Sequence, residues 1–300
     1  MDLLQPLKCF IRVVELGSFT AAAREFGVSQ SSVSKTVATL ERDLGVRLIE
    51  RTTTSLALTE EGRRFYTRSL GVTEAYVEAV ADARGQSHQP IGKLVVAAPL
   101  GLGELRLNAL VLEFLSIYPD IEVELILNDR IIDLVEEGVD LAIRLGEDLP
   151  PNVVARRLAS SPRLLVASPN YLESRPGLRM PEDLGRHEYI RFAGIAALAR
   201  LDFRRDAEKV SVTPVGRYRV NSSMALRECF LEGAGLGTAP AWLVQDLIDA
   251  GALTRLLPDW DMPSQPLHLV YPSRRYMPQR TRVLIQFLCE RLPQLPGFFT

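Results

Sequence analysis

The segment from Ser18 to Leu44 constrains the fold of this chain more than any other, because two helix starts and a helix stop follow one another within it. Ser18 is placed to cap a first helix, its hydroxyl accepting from an orphan backbone N–H. Phe19, Ala22, Ala23 and Phe26 fall on one face, with alanines where a second helix must come close. Gly27 stands at a C′ position, where a left-handed backbone costs glycine little. Ser29 caps the next helix, whose apolar stripe is Val33, Val37, Leu40 and Leu44. Its other face shows Gln30, Ser31, Ser34, Lys35 and Thr36, types that reach base edges and phosphates in a major groove. The pattern is that of a helix-turn-helix. An alanine-rich hairpin with serine caps also suits an ordinary helical domain, so the surroundings must decide.

Composition narrows the choice. With 300 residues, 47% hydrophobic and 24% charged, the chain has room for two or three domains, each with its own core. A formal net charge of −2 gives no global signature of a nucleic-acid binder. Through Phe65, nine Lys and Arg stand against eight Asp and Glu, a net of +1, so only the local arrangement of bases can favour DNA. Cys9, Cys229 and Cys289 are odd in number and lack CxxC spacing. Buried thiols in a reducing compartment are expected, a redox-sensing pair being the alternative. The N-terminus lacks a signal-peptide profile, and no apolar run approaches the ~20 residues that span a bilayer. A cytoplasmic chain with no membrane partner is the expectation. His88, His187 and His268 lie in unrelated segments, without G-x-S-x-G or a metal-spaced cluster, so no catalytic residue, metal or cofactor is expected.

Around the helix-turn-helix the pattern is consistent. Leu4 to Leu16 is an amphipathic helix with Leu7, Phe10, Ile11 and Val14 as its stripe, ended by Gly17. After Gly45, two short extended segments flank a polar turn, with Leu48, Leu56 and Leu58 inward, as in a wing hairpin. Thr59 caps a long helix with Glu60 and Glu61 in its first turn. Nothing interrupts it before Pro90, which allows about 26 residues and roughly 39 Å. Phe65, Val72, Tyr76, Ala79 and Val80 form its stripe, flanked by Tyr66, Leu70 and Val77. Such a face wants a partner, most simply a second copy; packing on the chain's own C-terminal part is the alternative. The polar stretch Ser87 to Gly92 is a hinge.

Beyond the hinge, strands alternate with helices. Strand Lys93–Ala97, helix Leu102–Tyr118, strand Glu122–Leu127, helix Ile131–Glu137 and strand Asp140–Ile143 make a β-α-β-α-β signature of a parallel sheet. Further strands are predicted at Val153–Leu158, Arg163–Ala167, Val215–Val220, Leu236–Ala239 and Leu267–Tyr271. Helices are predicted at Met224–Glu232, Trp242–Ala250 and Gln279–Arg291. That is too many strands for one small sheet, so two lobes with a cleft are expected.

Taken together these residues resemble the LysR-type transcriptional regulators over essentially the whole chain. The matching run is Phe10 to Thr59, including Ser18-Phe-Thr-Ala-Ala-Ala, Val28-Ser-Gln-Ser-Ser-Val-Ser, Leu44-Gly-Val-Arg-Leu, Arg51-Thr and Leu58-Thr-Glu-Glu-Gly. Asp129 to Arg144 and Gly233-Ala-Gly-Leu-Gly are also similar. The resemblance implies an α/β fold class. A winged helix-turn-helix (residues 1–59) leads into a linker helix and hinge (60–90). A two-lobed effector domain of the periplasmic-binding-protein type follows (91–300), with lobe one at 91–162 and 267–300 and lobe two at 163–266. It implies double-stranded promoter DNA, a small-molecule effector, a homodimer through the linker helix, a tetramer, and RNA polymerase as partners. Carried over by position, Ser29, Gln30, Ser31, Ser34 and Lys35 meet the major groove, and Arg51, Thr52 and Thr54 belong to the wing. Gln30 suits adenine through a bidentate amide pair, and Lys35 suits phosphate. Thr54 and Ser55 stand where family members often carry arginines, which weakens minor-groove attraction.

The resemblance places the effector between the lobes, beside Pro99, Leu100, Gly101, Leu102 and Gly103. With no hydroxyls there, recognition would rest on the N–H groups of Gly101 to Gly103, which suit an anion. Arg144 and Gly146 end the Asp140 strand and face the same cleft by the strand-end rule, with Asn221 and Pro240 in lobe two. Asn221 also suits a helix cap, Arg144 an ion pair with Glu147 or Asp148, and Gly233-Ala-Gly-Leu-Gly a helix stop. The expected ligand is a small, partly apolar organic acid. An enzyme and a plain solute receptor are the competing classes, and neither accounts for the Phe10 to Thr59 match.

Overall fold

The computed structural model describes residues 4–51, 56–83, 90–130, 132–149, 153–173, 175–193, 200–273 and 277–299. The chain divides into two compact units, one of Met1–Pro90 with the short segments Val135–Gly138 and Arg274–Gln279, the other of the remaining residues.

The N-terminal unit holds α1 (Leu4–Leu16), α2 (Phe19–Phe26), α3 (Gln30–Leu44), β1 (Ile49–Arg51), β2 (Leu56–Leu58) and α4 (Glu60–Ala83). Each boundary has a local cause. The Ser18 hydroxyl accepts from the Ala21 N–H, and Ser29 accepts from Ser32. Gly27 (φ 66°) and Gly45 (φ 71°) stop α2 and α3 in the left-handed region. Phe10, Val13, Ala22, Ala23, Val33 and Val37 are buried as the core. Leu44 departs from the expected stripe, for it is 41% exposed at the last turn. β1 and β2 pair antiparallel, Ile49 opposite Leu58, and the hairpin tip lies outside the described residues. Glu41 ties that hairpin to α3, its carboxylate accepting from the Leu48 and Ile49 N–H groups at 2.8 and 3.1 Å. Thr59 starts α4 by accepting from the Gly62 N–H. Phe65 and Tyr66 of α4 pack on Phe10, centroids 5.6 and 6.5 Å apart. Past that contact, Val72, Tyr76 and Val77 are each about half exposed, at 53%, 49% and 53%.

The C-terminal unit begins with β3 (Gly92–Ala98). A helical stretch follows: α5 (Leu100–Leu102), a π-turn (Gly103–Leu107) and α6 (Asn108–Ile117). Next come β4 (Ile121–Leu127), β5 (Leu141–Leu145), β6 (Val153–Ser161), β7 (Arg163–Ala167), α7 (Pro169–Glu173) and β8 (Arg191–Phe192). β9 (Leu201–Arg205) and β10 (Glu208–Val212) form a hairpin ahead of β11 (Arg219–Val220), α8 (Ser223–Leu231) and β12 (Gly237–Pro240). The remainder is α9 (Ala241–Asp249), β13 (Thr254–Leu256), β14 (Gln265–Pro272) and α10 (Gln279–Arg291).

Two sheets result. The first has the order β4-β3-β5-β14-β6; β3 is parallel to β4 and β5, and β14 runs antiparallel between β5 and β6. The second is built on β12-β7-β13, all antiparallel. β8 joins its edge through Ile190 N–H to Leu236 C=O and Leu236 N–H to Glu188 C=O, and carries β11 alongside. The chain crosses between sheets at Pro162, between β6 and β7, and returns between β13 and β14. Arg106 in the π-turn donates to the Trp242 carbonyl and, at 3.2 Å, to Asp246, which Arg227 also holds at 2.6 Å. These ion pairs hold the Asp246 carboxyl below the usual range, Arg227 acting most strongly.

Three expectations fail. No helix forms at Ile131–Glu137: Ile131 lies outside the described residues, and 134–138 is a turn closed by Val139 N–H on the Leu134 carbonyl. Gly138 at φ 67° stops the segment before a costly helical nucleus can propagate. Val215–Val220 shrinks to the two residues of β11, because Pro214 has no N–H and Gly216 presses against the Tyr189 carbonyl. Helix 102–118 begins earlier, at Leu100 behind Pro99. Of the cysteines, Cys9 is buried while Cys229 and Cys289 are intermediate; all three are free, and burial pushes each thiol's pKa up.

Candidate DNA interface and effector cleft

The N-terminus of α3 displays Gln30, Ser31 and Lys35 exposed, while Ser34 is half-buried. The Ser29 hydroxyl is spent on its cap and on Ser31, 2.9 Å away, so these two serines order the helix start. The Thr36 hydroxyl donates to the Ser32 carbonyl, which removes it as a donor to a base. Gln30 and Lys35 are the long polar side chains this leaves at the exposed end of α3. The side chain of Arg51, with Thr52 and Thr54, lies outside the described residues. Arg12 of α1 grips Glu25 of α2 through Nε and Nη2 and Glu15 through Nη1, fixing the scaffold helices. Arg12 holds the Glu25 carboxyl below its ordinary range, while the guanidinium is itself raised.

In the C-terminal unit a cleft of about 460 Å³ opens between the two sheets. Of the expected effector residues, Pro99, Arg144, Asn221 and Pro240 line it. Leu100, Gly101, Leu102 and Gly103 do not. The Leu100 N–H donates to Asp129 Oδ1 at 3.1 Å and the Gly103 N–H to the Pro99 carbonyl at 2.8 Å. Leu102 is fully buried, and a Cβ on Gly101 would meet Ser223 Oγ at 1.9 Å. Gly101 therefore serves close packing against α8 and Gly103 against Leu127 of β4, and the Gly103 N–H, spent on Pro99, is withdrawn from the backbone anion site expected there. Gly146, at φ 97°, lines an adjoining pocket, its N–H held by the Pro266 carbonyl.

Arg144 dominates the cleft. It is 6% exposed, and Nη1 donates to the Arg130 carbonyl at 2.9 Å while Nε and Nη2 have no partner. It makes no ion pair with Glu147 or Asp148. Burial pushes its guanidinium down, and the Asp129 carboxylate opposes that shift. Asn221 is released from capping because Ser222 caps α8, accepting from Ala225. Gly233-Ala-Gly-Leu-Gly is a helix stop: Gly233 is left-handed at φ 67°, and the Ala234 N–H reaches back to Cys229. Several cleft residues have no local sequence signal. Arg163, Phe192, Trp242 and Gln265 enter the wall only because both crossovers bring them there. The Trp242 indole N–H donates to Gln265 Oε1 at 3.1 Å, which fixes the ring. Among the described residues no group of three His, Cys, Asp or Glu could hold a metal, and no helix is long and apolar enough to cross a membrane.

Comparison with known proteins agrees with this architecture. Residues 4–63 match the family model of the bacterial regulatory helix-turn-helix protein, lysR family, and residues 87–293 match the LysR substrate binding domain. The HTH-type transcriptional regulator PtxR of Pseudomonas aeruginosa is 35% identical over 98% of this chain and 94% of its own. The probable HTH-type transcriptional regulator LtrA of Klebsiella pneumoniae is 31% identical over 98% and 96%. Among solved structures, CrgA, a LysR-type transcriptional regulator from Neisseria meningitidis, superposes with a TM-score of 0.63 at 31% identity, covering 96% of this chain and 98% of its own. Helix-turn-helix, two-lobed domain and cleft thus come together in one conclusion: the chain belongs to the LysR family of transcriptional regulators.

Proposed function

We propose that this regulator takes a small organic acid in its cleft through Arg144, and that Gln30 and Lys35 carry its contacts to promoter DNA. The observation that carries the effector reading is the Arg144 guanidinium, nearly fully buried with two nitrogens unpartnered. Buried guanidinium N–H groups without acceptors are costly even with the Asp129 carboxylate acting at a distance, and a carboxylate that accepts bidentate hydrogen bonds removes the cost. Phe192, Leu226, Leu243 and Trp242 give the same cleft an apolar wall for the body of the acid. Pro99 and Arg144 stand on the first lobe and Asn221 and Pro240 on the second, so a ligand touching both favours one lobe arrangement. The half-exposed Val72, Tyr76 and Val77 on α4 support a homodimer through that helix. A tetramer on paired DNA sites, Arg51, Thr52 and Thr54 at the wing, and contact with RNA polymerase at activated promoters belong to the same reading.

Calorimetry with a panel of small organic acids tests the site. Arg144→Gln is expected to weaken the tightest acid by about 10-fold or more, the worth of one charge-assisted pair. Because the change removes a buried charge, the melting temperature of the ligand-free protein is expected to hold or rise. Equal affinity in the variant removes Arg144 from the site.

A further inference from the structure

A second guanidinium in the cleft is not accounted for by a ligand with one acidic group. Arg163 opens β7 immediately after the Pro162 crossover and lines both the cleft and the adjoining pocket that contains Gly146. It is half-buried, its backbone paired opposite Pro240 of β12, and among the described residues its guanidinium has no hydrogen bond or ion pair. Burial pushes its guanidinium down, with only the nearby Tyr189 phenol opposing. Two carboxylates share the wall. Asp129 receives the Leu100 N–H and opposes the desolvation of Arg144, and Asp148 is exposed and paired with neither arginine. A one-carboxylate ligand on Arg144 leaves Arg163 uncompensated in a cleft that apolar Phe192 and Leu145 also line. We propose that Arg163 is a second anion-binding residue and that the effector is a small dicarboxylate, one carboxylate on Arg144 and the other on Arg163, with a hydrocarbon spacer against the apolar wall. This rests on the reading of the cleft as an organic-acid site, and it narrows that class. It also assigns Arg163 a role in selectivity: it decides between acids of equal length rather than binding acids in general.

The test is calorimetry on the full-length protein with matched probes: succinate against butyrate, adipate against hexanoate, phthalate against benzoate. In the wild type at least one dicarboxylate is expected to bind about 10-fold or more tighter than its one-acid partner, the increment of a second charge-assisted contact. Arg163→Gln is expected to bring that pair to near equality by weakening the dicarboxylate alone. Arg163→Lys, which keeps the charge but not the planar fork, is expected to keep part of the preference. Equal binding of every pair by the wild type overturns the proposal, and so does an Arg163→Gln variant that weakens both members alike. If monocarboxylates bind and Arg144→Gln loses them, but no dicarboxylate is preferred, only the Arg163 assignment falls. If no probe binds at all, the organic-acid reading falls with it.

Discussion

Gly62→Ala is expected to lower the melting transition of the N-terminal unit by about 10 °C or more, the equivalent of roughly 2–4 kcal/mol in a domain of this size. A Cβ at Gly62 would lie 2.0 Å from the Leu48 carbonyl oxygen, a backbone atom that no side-chain rotation can move aside. Around that contact, the Thr59 N–H donates to the same carbonyl at 3.1 Å, and the Thr59 hydroxyl donates to the Arg47 carbonyl at 2.7 Å. Leu48 is fully buried, so the strain passes directly into the core and the root of the hairpin. Helix propensity argues in the opposite direction, since alanine in a helix interior is favoured over glycine by about 1 kcal/mol. The sign of the shift therefore decides between close approach and propensity. Gly71, on the same helix with nothing near its Cβ position, supplies the contrast: Gly71→Ala is expected to leave the transition unchanged or raise it. Differential scanning calorimetry of both variants makes the measurement.

Gln30→Ala is expected to weaken specific operator binding by about 30-fold or more while leaving non-specific binding in place. One bidentate amide–adenine pair is worth about 1–3 kcal/mol, and a dimer on two half-sites loses it twice. Gln30 is exposed and makes no contribution to the core, so the loss is not a folding effect. Lys35→Ala differs in kind. As a phosphate contact it is expected to weaken specific and non-specific DNA alike and to reduce the salt slope by about one per subunit. Anisotropy titrations across a series of salt concentrations separate the two variants. A Gln30→Ala protein that retains wild-type discrimination removes Gln30 as a base reader.

The N-terminal unit was legible because its determinants are local. Ser18, Gly27, Ser29 and Thr59 act within one helical turn of themselves, and they sit where caps and stops were expected. The alternating sheet and helix pattern after Pro90 was legible for the same reason. The hairpin β9–β10 was not, although Leu201 and Phe203 alternate inward. Its two-residue turn uses Asp206 at φ 51° followed by alanine, in place of the asparagine–glycine pair that marks such turns. The segment 131–137 misled because its apolar periodicity is helical, while Gly138 ends it within a turn.

The cleft was half legible. Arg144 followed from a strand end, whereas Arg163 and Gln265 required knowledge of both crossovers, which no local pattern encodes. The glycines of Gly101-Leu-Gly103 were legible as glycines but not as packing residues, because Ser223 and Leu127, which face them, come from elsewhere in the chain. Net charge was uninformative throughout: a sum near zero conceals two desolvated guanidiniums in one cleft.

An acid held by Arg144 is proposed to control how this regulator binds promoter DNA. Linkage requires that a ligand which favours one lobe arrangement alter DNA affinity or footprint if the DNA complex distinguishes the arrangements. The direct measurement is footprinting and anisotropy on a genomic fragment selected by the wild-type protein, with and without the tightest-binding acid of the panel. The acid is expected to change affinity or footprint for the wild type. Arg144→Gln is expected to bind the same fragment with unchanged ligand-free affinity and to show no response to the acid at that concentration. A wild-type protein indifferent to the acid, or an Arg144→Gln variant that responds as the wild type does, contradicts the proposal.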